Sequence, residues 1–190
     1  MAVAFFAVLS LSWPVTPRQC LVAMALFIIA ALTDALDGHL ARKWNATSQF
    51  GRVMDPFADK ILVVGAFIIL AGPGFLWTVS APDAPHGTLP LTYLASGVAP
   101  WIAIVILARE LLITSLRAVL ESQGRDFSAS WSGKLKMIAQ SVAVPLILLL
   151  LGVADVSPGS PARVAILSVA YATAFVTVLS GVPYVTRAMR

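Results

Sequence analysis

Residues 34–59 read DALDGHLARKWNATSQFGRVMDPFAD and carry four aspartates within a chain that is otherwise strongly apolar. The acidic positions are Asp34, Asp37, Asp55 and Asp59. A carboxylate at membrane depth is energetically costly, so four of them in one short stretch require a strong compensating partner. We expect that partner to be a divalent cation.

The rest of the chain has the composition of a membrane protein. Of its 190 residues, 59% are apolar and 12% are charged, and the mean hydropathy is +0.89. A soluble domain carries about 25% charged residues, so we expect one polytopic membrane domain covering residues 1–190. The basic residues behind the net charge of +4 are scattered at segment ends, which argues against a nucleic-acid partner. Cys20 is the only cysteine, which excludes an intrachain disulfide.

Six apolar stretches are separated by short runs of Pro, Gly, Ser, Asp or basic residues. They run from Ala2 to Trp13, Cys20 to Leu36, Met54 to Trp77, Leu91 to Leu120, Leu135 to Val153 and Ala162 to Thr186. Each has about the length of a membrane-spanning helix except the first, which is shorter than the roughly 20 residues that a span needs. The pattern predicts an all-α bundle of six transmembrane helices whose first helix is incomplete or truncated.

The basic residues predict the orientation of this bundle. Three groups fall on one side of the membrane: Arg42, Lys43, Arg52 and Lys60; Arg117, Arg125, Lys134 and Lys136; and Arg187 and Arg190. The opposite connections contain only Arg18 and Arg163. Because Lys and Arg favour the cytoplasmic side, we expect the aspartates to lie near the cytoplasmic face of a bacterial-type inner membrane.

The spacing of the aspartates suits a metal site. Asp34 and Asp37 are three residues apart, and Asp55 and Asp59 are four apart, so each pair shares one face of a helix. Two antiparallel helices joined by a polar connection from Gly38 to Gly51 can bring the pairs together. Carboxylates offer only oxygen ligands, which suit Mg²⁺ or Mn²⁺ better than zinc, and two such ions would clamp a phosphoryl displacement. The alternative is that the aspartates are solvated loop or cap residues, which four paired carboxylates disfavour.

The full pattern resembles the signature of the CDP-alcohol phosphatidyltransferase family. The matching positions are Asp34, Asp37, Gly38, Ala41, Arg42, Gly51, Asp55 and Asp59. The resemblance implies a six-helix membrane fold, usually homodimeric, that transfers a phosphatidyl group from a CDP-linked lipid to an alcohol and releases CMP. It also implies that the four aspartates hold two divalent ions and that Asp59 is the general base. The CDP group would be contacted by Gly38, Ala41, Arg42 and Gly51.

Two later blocks, RELLITSLR at 109–117 and WSGKLKMIAQ at 131–140, resemble the phosphatidylglycerophosphate synthase branch of that family. A dianionic phosphate prefers fixed cationic donors, which these blocks provide beside the metal site. We therefore expect an acceptor phosphate to be bound by Arg109, Arg117, Lys134 and Lys136. The expected substrates are CDP-diacylglycerol and glycerol 3-phosphate.

Each of these cations has a structural alternative. Lys134 and Lys136 are also placed to anchor a helix at the membrane surface, and Arg109 is placed to pair with Glu110 or with a neighbouring helix. Met137 stands where the branch commonly has Thr, and the Asn-Pro-Asn-x-Leu-Thr segment that usually opens these proteins is missing.

The sequence also allows three other functions. The same chemistry would serve another acceptor, such as inositol phosphate or phosphatidylglycerol. A divalent-cation transporter would need polar residues along several spans, whereas the acidic residues towards the opposite face are the loop residues Asp83 and Asp155. An inactive, truncated relative is the third alternative.

Overall fold

The computed structural model describes residues 1–43, 49–79, 90–123 and 131–188. Within these ranges, the side chains of residues 35, 37–43, 49–59, 121, 131–132 and 187–188 are not among those described. The helices are α1 (Ala2–Ser10), α2 (Pro17–Lys43), α3 (Gln49–Leu70), α4 (Pro100–Ser122), α5 (Trp131–Val153) and α6 (Pro161–Ala188). The described chain is therefore mostly helical, as the hydropathy pattern predicts.

Local sequence explains where several helices begin. Proline is the first residue of α2, α4 and α6, a position where its missing N–H costs nothing. At the start of α2, the Thr16 backbone N–H donates to Gln19 Oε1 at 2.9 Å, and the Gln19 backbone N–H donates to Thr16 Oγ1 at 3.4 Å. This reciprocal pair is a capping box, which satisfies two donors at the helix end.

A β-hairpin lies between α3 and α4, so the all-α prediction is wrong in this region. Its strands are β1 (Leu76–Val79) and β2 (Leu91–Leu94), which pair antiparallel with Trp77 opposite Tyr93. We predicted that one helix would continue to Trp77 and that the next would begin at Leu91. Helix α3 instead ends at Leu70, just before Gly72, Pro73 and Gly74, which disfavour helix. The predicted stretches from Met54 to Trp77 and from Leu91 to Leu120 therefore each contain a short apolar strand as well as a helix.

Three segments of the described chain are long and apolar enough to cross a membrane: Pro17–Asp34, Gly133–Val153 and Pro161–Thr186. The apolar part of α3 is shorter, and α4 has 23 residues but carries Arg109, Glu110 and Arg117. Helix α1 has nine residues, shorter than a span, as predicted. The fold is that of a helical membrane protein, while six spans remain a prediction.

The helices form a bundle with a large apolar cluster towards one end and a small one towards the other. Helix α5 packs against α2 and α6, and α4 packs against α6 and α3. The main apolar core includes Phe5, Phe27, Phe67 and Phe75, which are fully buried near the hairpin. A smaller cluster, formed by Ile113, Leu120 and Tyr184, lies towards the other end. Because only residues 44–48 separate α2 from α3, the end of α2 and the start of α3 lie at that second end, which we call the aspartate end.

Candidate functional site

The four aspartates lie on two helices that contact each other. Asp34 and Asp37 belong to α2, and Asp55 and Asp59 belong to α3. Each pair therefore lies within one continuous helix, where spacings of three and four residues bring side chains to the same face. The Asp34 side chain is exposed, and the other three carboxylates lie outside the described side chains.

The predicted nucleotide-binding residues are helical. Gly38, Ala41 and Arg42 occupy the last turns of α2, and Gly51 lies in the first turn of α3. The predicted polar connection from Gly38 to Gly51 is wrong in extent, because both helices continue into the signature and only residues 44–48 separate them. Apolar hydropathy ends before these helices do, since helical backbone geometry does not require apolar side chains. The side chains of Ala41 and Arg42 are outside the described set.

The donor set suits a hard divalent cation. Four carboxylates offer oxygen ligands only, and two contacting helices bring their two pairs to one end of the bundle. Among the described side chains, no group of three or more His, Cys, Asp or Glu could hold a metal, and three of the four aspartates lie outside that set. The chemistry of the residues fits Mg²⁺ or Mn²⁺.

A cavity of about 470 Å³ opens between α3, α4 and α5 at the aspartate end. All four residues predicted to bind the acceptor phosphate line this cavity: Arg109, Arg117, Lys134 and Lys136. Among the lining residues that the structure describes, Lys60 is a fifth cation and Glu110 is the carboxylate. Helices α4 and α5 thus bring together two blocks that are 13 residues apart in sequence. Because the described lining carries five cations and one carboxylate, we refer to this space as the cationic cavity.

Arg109 and Lys136 share one carboxylate oxygen in the cationic cavity. Arg109 Nη1 donates to Glu110 Oε1 at 3.1 Å, and Lys136 Nζ donates to the same oxygen. Glu110 is only 6% exposed. The ion pair that the sequence analysis treated as an alternative to phosphate binding is therefore present.

The ion pair leaves several buried donors unused. Within the described part of the chain, Arg109 Nε, Arg109 Nη2 and Arg117 Nε are buried and have no hydrogen-bond partner. A buried donor without a partner costs about 1–3 kcal/mol. Both arginines line the cationic cavity, and an anion that reached these donors would satisfy them, so ion pairing and phosphate binding are compatible roles for Arg109.

Tyr184 supports Arg109 from α6. The Arg109 Cζ atom lies 5.8 Å from the centre of the Tyr184 ring, and Tyr184 is 2% exposed. This distance allows a cation–π interaction. A Cβ atom at Gly133 would lie 2.8 Å from Tyr184 Oη, so the glycine permits the approach of Tyr184 to α5.

Lys60 connects the cationic cavity to the signature. Its Nζ donates to Thr114 Oγ1 at 2.6 Å, and that hydroxyl donates to the Glu110 backbone carbonyl at 2.7 Å. Lys60 directly follows Asp59, the last signature position, so the cavity abuts the helix that carries Asp55 and Asp59. In the sequence, Lys60 is one of the basic residues that indicate topology, and Tyr184 has no predicted role. The position of Lys60 next to the signature was the available clue, whereas nothing in the sequence marked Tyr184.

Comparison with known proteins identifies the family. Residues 1–179 match the family model described as CDP-alcohol phosphatidyltransferase. The chain belongs to the CDP-alcohol phosphatidyltransferase family. The predicted membership is thereby confirmed, and the family model covers both the signature on α2 and α3 and the cationic cavity.

Similar members of the CDP-alcohol phosphatidyltransferase family are bacterial. A Mycobacterium tuberculosis protein named probable phosphatidylglycerophosphate synthase is 37% identical over 169 residues, covering 89% of this chain and 66% of its own length. A Bacillus subtilis protein named CDP-diacylglycerol–glycerol-3-phosphate 3-phosphatidyltransferase is 40% identical over 133 residues, covering 70% and 58%. An Escherichia coli protein of that same name is 35% identical over 145 residues, covering 75% and 68%. The chain thus spans less than two thirds of the length of the first two relatives.

Proposed function

We propose that the chain transfers the phosphatidyl group of CDP-diacylglycerol to glycerol 3-phosphate, giving phosphatidylglycerophosphate and CMP. The observation that carries this proposal is the cationic cavity, whose described lining includes Lys60, the residue that follows Asp59. The names of the similar proteins support the choice of substrates. Inositol phosphate and phosphatidylglycerol are the alternative acceptors within the same chemistry.

The buried donors favour an acceptor that carries a phosphate. A neutral alcohol such as serine would leave the free edge of Arg109 and the Arg117 Nε group without an acceptor atom. A phosphate monoester provides several acceptor oxygens and a double negative charge, and charge-assisted hydrogen bonds are about twice as strong as neutral ones. The exposed Lys134 and the half-buried Lys136 would add to the attraction.

The aspartates provide the second half of the proposed site. Asp34, Asp37, Asp55 and Asp59 would hold two Mg²⁺ or Mn²⁺ ions. When bound, such ions neutralise a diphosphate and stabilise a phosphate leaving group. Gly38, Ala41, Arg42 and Gly51 would contact the CDP group, where the glycines allow close backbone approach.

Asp59 would act as the general base. Its carboxylate accepts the proton of the acceptor hydroxyl, and the hydroxyl oxygen forms a bond to the phosphorus that carries diacylglycerol. The bond between this phosphorus and the bridging oxygen of the diphosphate breaks, and CMP leaves with that oxygen. Lys60 follows Asp59 on α3 and lines the cavity, so a phosphate bound there would lie beside the turn of α3 that carries Asp59.

The proposal includes a place in the membrane. Six spanning helices with the aspartate end at the cytoplasmic face of an inner membrane would let aqueous glycerol 3-phosphate meet a lipid-anchored donor. The basic residues that gather at the aspartate end support this orientation. A homodimer, as implied by the family resemblance, is also part of the proposal.

The proposal is tested by CMP release from CDP-diacylglycerol by the purified chain with Mg²⁺. Separate reactions contain glycerol 3-phosphate, inositol phosphate, phosphatidylglycerol, serine or no acceptor. Release that depends on glycerol 3-phosphate supports the proposal. Release with another acceptor alone would reassign the substrate, and a folded chain that releases no CMP with any acceptor would contradict the enzymatic function.

A further inference from the structure

We propose that Glu110 is a positioning residue that holds Arg109 and Lys136 so that one edge of the Arg109 guanidinium faces the acceptor phosphate. The identity of the anion rests on the proposed function. The positioning itself concerns only residues that line the cationic cavity.

A carboxylate is an unexpected component of an anion-binding cavity. Glu110 is buried and repels a phosphate by Coulomb's law, so a site selected only for positive potential would not contain it. Its contacts suggest a geometric reason. Oε1 accepts hydrogen bonds from Arg109 Nη1 and from Lys136 Nζ, which come from α4 and α5. One carboxylate thus fixes two cations that would otherwise repel each other.

The atom of Arg109 that Glu110 binds determines what remains free. A guanidinium presents five N–H groups in a rigid fork, and its Nε and Nη2 groups form one edge with parallel donors. Glu110 takes Nη1, which leaves this edge unpaired and buried within the described part of the chain. Two parallel donors match two oxygens of one phosphate in a bidentate contact. Glu110 therefore occupies the donor that this contact does not need.

The same residue connects to a third helix. The Glu110 backbone carbonyl accepts from Thr114 Oγ1, which in turn accepts from Lys60 Nζ on α3. Tyr184 on α6 adds a further contact, because its ring centre lies 5.8 Å from Arg109 Cζ. Thr114 thus ties the Lys60 cation of α3 to the backbone of α4, while the Glu110 side chain joins the cations of α4 and α5.

The positioning role and a role as mere negative charge predict opposite changes in phosphate affinity when Glu110 is removed. If Glu110 only adds negative charge, its removal makes the cavity more positive and phosphate binds more tightly. If Glu110 positions the donors, its removal frees Arg109 and Lys136, and phosphate binds more weakly although the charge is more favourable. The sign of the change in phosphate affinity therefore separates the two roles.

The test uses the purified full chain in detergent with two substitutions, Glu110→Leu and Glu110→Gln. Binding of inorganic phosphate and of glycerol 3-phosphate is measured by calorimetry without CDP-diacylglycerol, and KM and kcat are measured by CMP release. We expect Glu110→Leu to raise the Kd for both anions and the KM for glycerol 3-phosphate about tenfold or more. The KM for CDP-diacylglycerol should stay within about twofold. Glu110→Gln keeps an acceptor oxygen and should fall between the wild type and Glu110→Leu, since a neutral acceptor binds a cation more weakly.

Ser96→Ala is the matched control. Ser96 is fully buried near the hairpin, and its hydroxyl donates to the Leu70 carbonyl, so its loss removes a buried hydrogen bond far from the cationic cavity. It should lower thermal stability without changing anion affinity. If Glu110→Leu fails to fold, the anion Kd and the KM for glycerol 3-phosphate of Glu110→Gln are compared with those of the wild type instead.

Unchanged or tighter anion binding in the folded Glu110 variants overturns the positioning role, as does a fall in kcat with all KM and Kd values unchanged. Failure of the proposed function has a different signature: the wild type would release no CMP with glycerol 3-phosphate. Phosphate binding that weakens in the Glu110 variants would support the positioning role even then.

Discussion

Two cavities of nearly equal size lie at opposite ends of this bundle. The cationic cavity measures about 470 Å³. A second cavity of about 460 Å³ is lined by Trp77, Val79 and Tyr93 of the hairpin, and we call this the hairpin end. In the second, Asp155 accepts hydrogen bonds from the backbone N–H and the hydroxyl of Ser157, at 2.9 and 2.8 Å. Nearby, Arg163 donates to two backbone carbonyls and stacks on the Tyr93 ring at 5.0 Å.

The difference lies in which polar groups are left unpaired. At the hairpin end, the charged groups Asp155 and Arg163 have partners, and the unpaired buried donor among the described lining residues is the neutral Trp77 Nε1. At the aspartate end, three buried guanidinium donors are free within the described chain. Cavity size therefore does not mark the site, whereas unsatisfied cationic donors next to the signature do.

The largest expected effect is a loss of activity when an aspartate is changed at the aspartate end but not at the hairpin end. Asp59→Asn should reduce CMP release by about 10²–10⁴-fold, because an amide cannot accept the proton of the acceptor hydroxyl. Asp155→Asn is the matched control at the hairpin end and should retain full activity. Metal binding and thermal unfolding report whether each variant folds, and a folded Asp59→Asn enzyme with wild-type turnover would contradict the role of Asp59 as base.

The next effect concerns the two arginines. Arg109→Lys removes the bidentate edge, so the KM for glycerol 3-phosphate should rise about 10- to 100-fold while the KM for CDP-diacylglycerol stays nearly constant. Arg163→Lys should lower the thermal midpoint without affecting either KM, because Arg163 holds the carbonyls of Leu94 and Ala95. Steady-state kinetics of both variants checks the comparison. Equal KM changes in both would show that the two ends do not differ in function.

A smaller effect is expected at Gly133. A methyl group there would meet Tyr184 Oη, so Gly133→Ala should cost about 1–3 kcal/mol of stability and weaken the support of Arg109. Gly181→Ala is the control, since its Cβ would lie at an ordinary 3.7 Å from Arg109 Cγ. Thermal unfolding of these variants and of Gly133→Ala combined with Tyr184→Phe measures the effect. If the tyrosine hydroxyl causes the clash, Gly133→Ala should cost less stability in the Tyr184→Phe background than in the wild type, with Tyr184→Phe alone as the reference.

The smallest effect is a pH dependence at the hairpin end. Hydrogen bonds from the Ser157 backbone and side chain hold the pKa of Asp155 below its usual value of 3.8. A lowered pKa in the folded state means stability that is present above the usual value and is lost as the pH falls through the lowered pKa. The thermal midpoint of the wild type should therefore fall slightly more than that of Asp155→Asn below about pH 4. Parallel pH profiles would contradict this assignment.

Sequence periodicity and hydropathy predicted most of the helical fold, and their failures have physical causes. The hairpin strands Leu76–Val79 and Leu91–Leu94 are apolar runs too short to be distinguished from the helices beside them. The ends of α2 and α3 extend into the polar signature, where hydropathy gives no signal for helix. In both cases side-chain polarity does not indicate the backbone conformation: apolar residues form strands in the hairpin, and polar residues form helix in the signature.

The candidate site stands out in the sequence where charged residues interrupt an apolar stretch. Arg109 lies inside the apolar stretch from Leu91 to Leu120, and the cationic cavity brings it together with Arg117, Lys134 and Lys136. The parts played by Lys60, Glu110 and Tyr184 depend on distances between helices, which no spacing within the sequence specifies. A residue that positions others is therefore harder to find from sequence than one that carries an unusual charge.

The most direct test of the central claim compares glycerol 3-phosphate with glycerol as acceptors for CMP release by the purified chain. The two acceptors differ only in the phosphate that the cationic cavity is proposed to bind. The account predicts release with glycerol 3-phosphate and almost none with glycerol at the same concentration. Equal release with both acceptors would contradict it.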